Sequence, residues 1–434
     1  LARDALLPDG WAKDVAISVE RGDIVAVAKN SSEGETLAGP VLPGMANLHS
    51  HAFQRGMAGL TEVRTAAQDD FWTWRELMYR FVERITPEQA QAIALHLYIE
   101  MLKHGYTAVA EFHYVHNPKE LLARHREAAR EAGIAITLLP SLYRWANFGS
   151  RPLAPRQLRF DTRPAQVLAL YRDVERSPEV NAGIAPHSLR AVDPAALKEL
   201  IAGVDASSPI HIHAAEQTQE VEDCKAALGK RPVEWLLANA AVDQRWCIVH
   251  ATHVVDDEVV GLARSGAVAG LCPSTEANLG DGIFPMLDYR AAGGRWGIGG
   301  DSHVSRDPAE ELRLLEYVQR LAARKRNLIV GKQSPAVGTT LWLEAAAGGA
   351  QALGRRMGAI AAGQRADLVV LDSGHADVQG RRGDAIANAL VFSGSRELVR
   401  DVMVAGTWVV TERRHAAEDA AAEAYKRSVK QLLA

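Results

Sequence analysis

Cysteine is scarce: a chain of 434 residues holds three, Cys224, Cys247 and Cys272, far apart and with no Cys-x-x-Cys pair among them. That spacing supports neither a disulfide framework nor a thiolate zinc site, and it leaves the thiols as core-packing groups of a reducing compartment. An excess of one charge is missing as well. With 49 Lys and Arg against 53 Asp and Glu, the formal net charge is -4, so no global basic surface exists to attract nucleic acid or anionic lipid. No apolar run approaches the roughly 20 residues of a membrane helix. The least charged stretch, 36–54, is broken by glycines and prolines and carries two histidines. The chain begins at Leu1 and shows no basic segment followed by an apolar one. A soluble cytoplasmic protein is therefore expected, with a small molecule as partner and neither nucleic acid nor membrane.

What is present in quantity is hydrophobic material, 47% of the chain, enough for one large domain and one small one. Short runs rich in β-branched residues recur at 43–51, 107–112, 135–142, 180–186, 209–214, 246–250, 267–272 and 296–300. Helical patterns lie between them, among others at 87–103, 119–132, 163–176, 194–202, 219–228 and 255–264. Eight strand-helix units predict an α/β fold, a (β/α)8 TIM-type barrel over 42–358. A doubly wound sheet would need a glycine-rich phosphate turn after its first strand, where this chain has His49-Ser50-His51-Ala52-Phe53-Gln54. The ends read differently. A hairpin over 15–19 and 24–27, turning at Arg21-Gly22-Asp23, and alternating segments at 366–371 and 401–410 predict a small β-sandwich built from both termini, 1–41 and 359–434. A helix over 414–433 is expected to cover it.

Barrel enzymes carry their chemistry at the C-terminal ends of the strands. There the sequence places His49 and His51 on strand one, His211 and His213 with Glu216 beyond them on strand five, His250 on strand six, and Asp301 after Gly299-Gly300 on strand eight. Side chains two apart on a strand point the same way, so His49 and His51 can reach one ion. Taken singly, a His-x-His pair is better read as hydrogen-bonded barrel histidines than as a metal site. Four such residues at the ends of different strands are hard to explain as packing, because buried polar groups are costly unless satisfied. His49, His51, His213 and Asp301 are thus the expected metal ligands, and the nitrogen and oxygen donors suit Zn2+. His213 is chosen over the deeper His211. Asp301 is expected to take a proton from the attacking water, His250 to stabilise the developing oxyanion, and Glu216 to pass a proton to a leaving nitrogen. A second metal would call for a bridging carbamylated lysine at the end of strand four. Residues 183–188 contain none, so one zinc per subunit is expected.

Several longer motifs carry a resemblance. The stretch Leu42-Pro43-Gly44-Met45-Ala46-Asn47-Leu48-His49-Ser50-His51, the His213-Ala214-Ala215-Glu216 turn, the Gly299-Gly300-Asp301-Ser302 turn and the 363–372 segment together resemble the amidohydrolase superfamily over nearly the whole chain. That resemblance implies the barrel and metal-dependent hydrolysis. Within the superfamily the chain is more similar to the N-formimino-L-glutamate deiminases, on the motifs 51–60, Phe71-Trp72-Thr73-Trp74-Arg75-Glu76, Glu111-Phe112-His113-Tyr114, Pro186-His187-Ser188-Leu189-Arg190 and 274–282. The likeness implies Gln54, Arg75, Tyr114, His187 and Arg190 as substrate contacts and a histidine-degrading role; a homodimer is expected only because that assembly is common among symmetric soluble proteins. Arginine forks match carboxylates bidentately, as a formimino-dicarboxylate requires. Trp72 and Trp74 are expected to wall the pocket.

Two other readings compete. A related enzyme could deaminate an aminated purine or pyrimidine. Nucleobase deaminases of this type usually show a Ser-Asn pair in the strand-seven loop, where Glu276-Ala277-Asn278 stands. A catalytically silent barrel serving as a binding module would have lost its ligands, and all four are present.

Overall fold

Alternation with a period of two decides how the terminal strands are used. The computed structural model describes residues 1–64, 71–116, 119–332, 334–394 and 396–434. The chain opens with β1 (Ala2–Leu7), β2 (Gly10–Glu20), β3 (Asp23–Ala28) and β4 (Val41–Pro43). β2 and β3 form the expected hairpin. Its two turn residues, Arg21 and Gly22, both take positive φ (50° and 88°), the twist that matches paired strands.

The barrel strands follow: β5 (Met45–Ser50), β6 (Tyr106–His113), β7 (Ala135–Leu142), β8 (Val180–Ala182) with β9 (Ala185–Pro186), β10 (Ile210–Ala214), β11 (Trp246–His250), β12 (Val268–Leu271) and β13 (Arg295–Ile298). They pair in parallel as two arcs, β5 to β9 and β10 to β13. Parallel bridges join the arcs at both seams, Ile184 to Ile210 and Ser188 to His213 on one side, Ser50 to Asp301 on the other. Two expected strands are interrupted. The 43–51 run breaks at Gly44, whose N–H turns away to the Asp367 carbonyl at 2.9 Å. The 180–186 run breaks at Gly183 as Ile184 switches partners to the Pro209 carbonyl at 3.0 Å.

The chain then returns through β14 (Leu368–Leu371), β15 (Val399–Val404) and β16 (Thr407–Val410), and the termini share one sheet in the order β16-β15-β14-β4-β1-β2-β3. Hence the expected sandwich is a single sheet of seven strands. It curls until β3 meets the segment before β14, where Asp23 bridges Arg365 and Ile24 N–H reaches the Gln364 carbonyl at 2.8 Å. Its faces divide by parity. Leu6, Leu42, Val369 and Leu371 join the barrel core, while Ala5, Leu7, Val41, Leu368 and Val370 build a separate small core.

Helix Pro87–Lys103 starts on a complete capping box, Thr86 with Gln89, and a proline in its first turn. The terminal helix forms at Glu418–Leu433 but does not cover the small sheet. It lies on Pro87–Lys103 instead, tied to it by Lys103 to Glu418 at 2.7 Å and to the turn after β5 by Tyr425 OH to the Arg55 carbonyl at 3.3 Å. Its apolar stripe had no address in the sequence. The three cysteines are free and buried. Among the described residues, no helix is long and apolar enough to cross a membrane.

Candidate metal centre and pocket

Strand ends and the turns after them place the polar residues together. His49 and His51 leave β5 on one side. Strand eight must come very close to deliver Asp301: a Cβ on Gly299 would stand 2.8 Å from the His49 Cβ and 2.9 Å from its backbone nitrogen and oxygen. Asp301 N–H donates to the His49 carbonyl at 2.9 Å, and His51 N–H to the Asp301 carbonyl at 3.0 Å. Asp301 and His250 both hold positive φ, 48° and 67°, a strained conformation for non-glycine residues of the kind that clusters at functional sites.

The resulting cluster is tight. His49 Nε2 lies 3.0 Å from His213 Nε2, and Asp301 Oδ1 lies 3.6 Å from His49 Nε2 and 3.4 Å from His51 Nε2. Two neighbouring backbone carbonyls set the tautomers. His51 Nδ1 donates to the Phe112 carbonyl at 2.7 Å and His213 Nδ1 to the His187 carbonyl at 2.9 Å, which leaves both Nε2 atoms as bare lone pairs facing inward. Burial lowers the pKa of His49, His51 and His213, so all three imidazoles are neutral, as a metal requires. Ligands on an ion with ~2.0–2.2 Å bonds in a tetrahedron stand about 3.3 Å apart, and the observed separations bracket that value. The residues present therefore fit zinc.

Beside the cluster, His250 Nε2 is 3.7 Å from Asp301 Oδ2 and 3.9 Å from Glu216 Oε1. Burial alone would lower the His250 pKa, but the carboxylates of Glu216, Glu276 and Asp301 outweigh it and push it up to about 10. Burial pushes the Glu216 carboxyl up to about 7. Glu220 holds Glu216 in place by accepting the N–H groups of Ala215 and Glu216 at 3.2 and 3.0 Å. His211 points elsewhere, to the Ala352 carbonyl at 2.8 Å, a structural role.

A cavity opens over these groups and is also lined by Gln54, Trp74, Arg75, Tyr114, His187 and Arg190. Every sequence-predicted site residue thus meets in one place, whereas the Trp72 side chain lies outside the described residues. Gln54 Nε2 donates to Tyr114 OH at 2.7 Å, while its buried Oε1 finds no partner among the described residues. Arg190 is buried at 7% exposure, and both guanidinium carbons stand 5.9 Å from the Phe71 ring centre. Burial and the positive charge of Arg190 both lower the Arg75 pKa. Against its burial, Tyr143, Glu220 and Glu216 raise the Arg190 pKa, and two guanidinium forks lining one cavity suit an anionic occupant.

Sequence reading missed Glu276 as a working residue. It accepts His250 Nδ1–H at 3.2 Å and the Cys272 N–H at 2.8 Å, fixing the ring that faces Asp301. Its place in the strand-seven loop was noticed only as a departure from another pattern. Tyr79 and Tyr143 also line the cavity, and both hydroxyls accept Gln157 Nε2, at 3.1 and 3.3 Å. Nothing in their local sequence marks them.

A model of the amidohydrolase family matches residues 41–409. A formimidoylglutamate deiminase of Pseudomonas aeruginosa is 52% identical over 447 aligned positions, covering 100% of this chain and 99% of that protein. Among solved structures, an amidohydrolase from Brucella melitensis superposes with a TM-score of 0.94 at 43% identity, covering 100% of this chain and 99% of the other. An adenosine deaminase from Xanthomonas campestris with bound zinc shares the fold, with a TM-score of 0.84 at 22% identity over 100% and 97% of the two chains.

Proposed function

The chain belongs to the amidohydrolase family, a hydrolase of C–N bonds, and from that premise we propose that it converts N-formimino-L-glutamate and water to N-formyl-L-glutamate and ammonia. One zinc ion per subunit would be held by His49, His51, His213 and Asp301. The observation that carries the substrate is the single cavity that joins this cluster to two guanidiniums, Arg75 and Arg190. A ligand with two carboxylates can engage both planar forks, whereas an aminated purine or pyrimidine brings no anion to the pair. The 52% identity to a formimidoylglutamate deiminase over full length supports the same substrate.

When bound, zinc supplies Lewis acidity, bringing the pKa of water down toward ~7 so that hydroxide is available at neutral pH. The chain's own groups do the rest. Asp301 takes a proton from the attacking water. His250, cationic and aimed by Glu276, donates its Nε2–H to the oxygen on which negative charge develops. Glu216, with a pKa near neutrality, carries a proton to the departing nitrogen. Both protons of the consumed water leave with ammonia. Arg75 and Arg190 hold the carboxylates, His187 lines the substrate's path, and Gln54 Oε1, with Tyr114 behind the amide, accepts a substrate N–H.

The test is ammonia release from N-formimino-L-glutamate, run beside N-formimino-L-aspartate and guanine, with metal analysis of the same sample. Turnover of formiminoglutamate with one zinc per chain is expected; ammonia from guanine and none from formiminoglutamate rejects the assignment. The same reading places the reaction in histidine degradation in the cytoplasm and makes the enzyme a homodimer, for which light scattering should return the mass of two chains.

A further inference from the structure

Glu111 on β6 is wholly buried, lies outside the cavity lining, and accepts three hydrogen bonds. Oε2 accepts Ser50 Oγ–H at 2.6 Å and Tyr98 OH at 3.0 Å, and Oε1 accepts the Ala52 N–H at 2.9 Å. Ser50 and Ala52 are the two neighbours of His51, and Ser50 is also the residue between His49 and His51. Because Ser50 gives its proton to a carboxylate, its oxygen must accept from His303, whose Nε2 lies 2.8 Å away. His303 stands two residues beyond Asp301, and Ser50 itself bridges Asp301 across the barrel seam.

We propose that Glu111 is a positioning residue for the zinc centre, fixing His49 and His51 through Ser50 and Ala52 and locking the Asp301 turn to them through Ser50 and His303. The proposal rests on the zinc assignment above. Burial pushes the Glu111 carboxyl up to about 7, against its three hydrogen bonds, which favour the ionised form. Ionised, it offers acceptors to all three donors at once, whereas an amide in its place turns one of those contacts into donor against donor. Glu111, His113 and His125 also stand close enough to resemble a metal-binding group. The Glu111 oxygens are already engaged by Ser50, Ala52 and Tyr98, so the cluster is assigned a structural role instead.

The experiment measures zinc loss from the loaded protein to an excess chelator, together with the visible spectrum of the Co2+-substituted protein. Outer partners of ligands are worth 10- to 100-fold in metal affinity or activity. Glu111→Gln and Ser50→Ala are each expected to release zinc about 10- to 100-fold faster, to change the Co2+ ligand-field bands, and to lower kcat with KM for formiminoglutamate nearly unchanged. Tyr98→Phe, which leaves Ser50 and Ala52 engaged, is expected to release zinc within about threefold of the wild-type rate, well short of that range. Should Glu111→Gln fail to fold, Ser50→Ala, the smaller change, still decides. Wild-type zinc retention and an unaltered Co2+ spectrum in Ser50→Ala overturn the proposal, as does a second zinc equivalent lost in His125→Asn. A wild-type protein that binds no zinc at all overturns the zinc assignment instead, so the two failures are distinguishable.

Discussion

At the scale of single residues, roles separate by what a change removes. Asp301→Asn keeps shape and loses the proton acceptor, so kcat is expected to fall about 10³-fold or more, within the range of general acid–base catalysis. Arg190→Ala removes a charged hydrogen-bonding fork worth ~1.5–3 kcal/mol, so KM should rise roughly 10- to 100-fold while zinc content, measured by atomic emission, stays at the wild-type level. Loss of zinc from Arg190→Ala without weaker substrate binding would assign the arginine to the wrong function. A third case concerns pH. Burial pushes the Glu311 carboxyl up to about 8 from 4.5, against two hydrogen bonds from Ser274 that favour ionisation. Between those values the folded chain keeps a proton that the unfolded chain has released. The contribution is therefore whole below 4.5 and is lost as pH rises through about 8. Glu311→Gln imitates the protonated acid, and its melting temperature relative to wild type is expected to climb from pH 5 to pH 8; a constant difference would refute the buried-acid reading. The His49, His51, His213 and Asp301 cluster was legible as a spatial group because each member announces itself at a strand end. Glu276 and Glu111 were not, because their work depends on which distant N–H or hydroxyl they meet.

At the scale of elements, most barrel strands were legible as short β-branched runs, since a parallel strand buried on both faces leaves that mark. The breaks at Gly44 and Gly183 were not, as each is a change of partner made by a carbonyl from elsewhere in the chain. Helix Val337–Ala352 escaped the helical pattern for a different reason. It is buried on nearly every side, so it has no polar stripe to show a period. Its glycines pay for that with closeness: a Cβ on Gly348 would lie 1.8 Å from the Trp296 carbonyl oxygen. Gly348→Ala is expected to destabilise by about 1–3 kcal/mol or more through overpacking, seen as a lower melting temperature. Unchanged melting would mean that the helix has room to withdraw from β13.

At the scale of the whole molecule, the proposed ligands come from both arcs of the barrel: β5 gives His49 and, just past its end, His51; β10 gives His213; and the turn after β13 gives Asp301. Metal bound there stitches the seam between the first and last barrel strands. Removing it with a chelator is expected to lower the melting temperature, and restoring zinc to recover it, by the linkage of folding to binding; equal melting of the two forms would place the metal outside the fold's stability. The barrel and the joint terminal sheet could be anticipated from the order of elements along the chain. The curl of that sheet and the landing of the final helix on Pro87–Lys103 could not, because both are choices among apolar surfaces that exist only once the barrel does.

The seam has a bearing on how the protein is made. His49 leaves the ribosome early and its backbone partner Asp301 late, so the first strand must wait, unpaired on one edge, while nearly the entire barrel is synthesised. Contacts of such long sequence separation form slowly, and waiting edges invite aggregation. The centre proposed for catalysis is accordingly among the last parts of the molecule to exist, and zinc captured at that moment would turn a slow, reversible closure into a committed one.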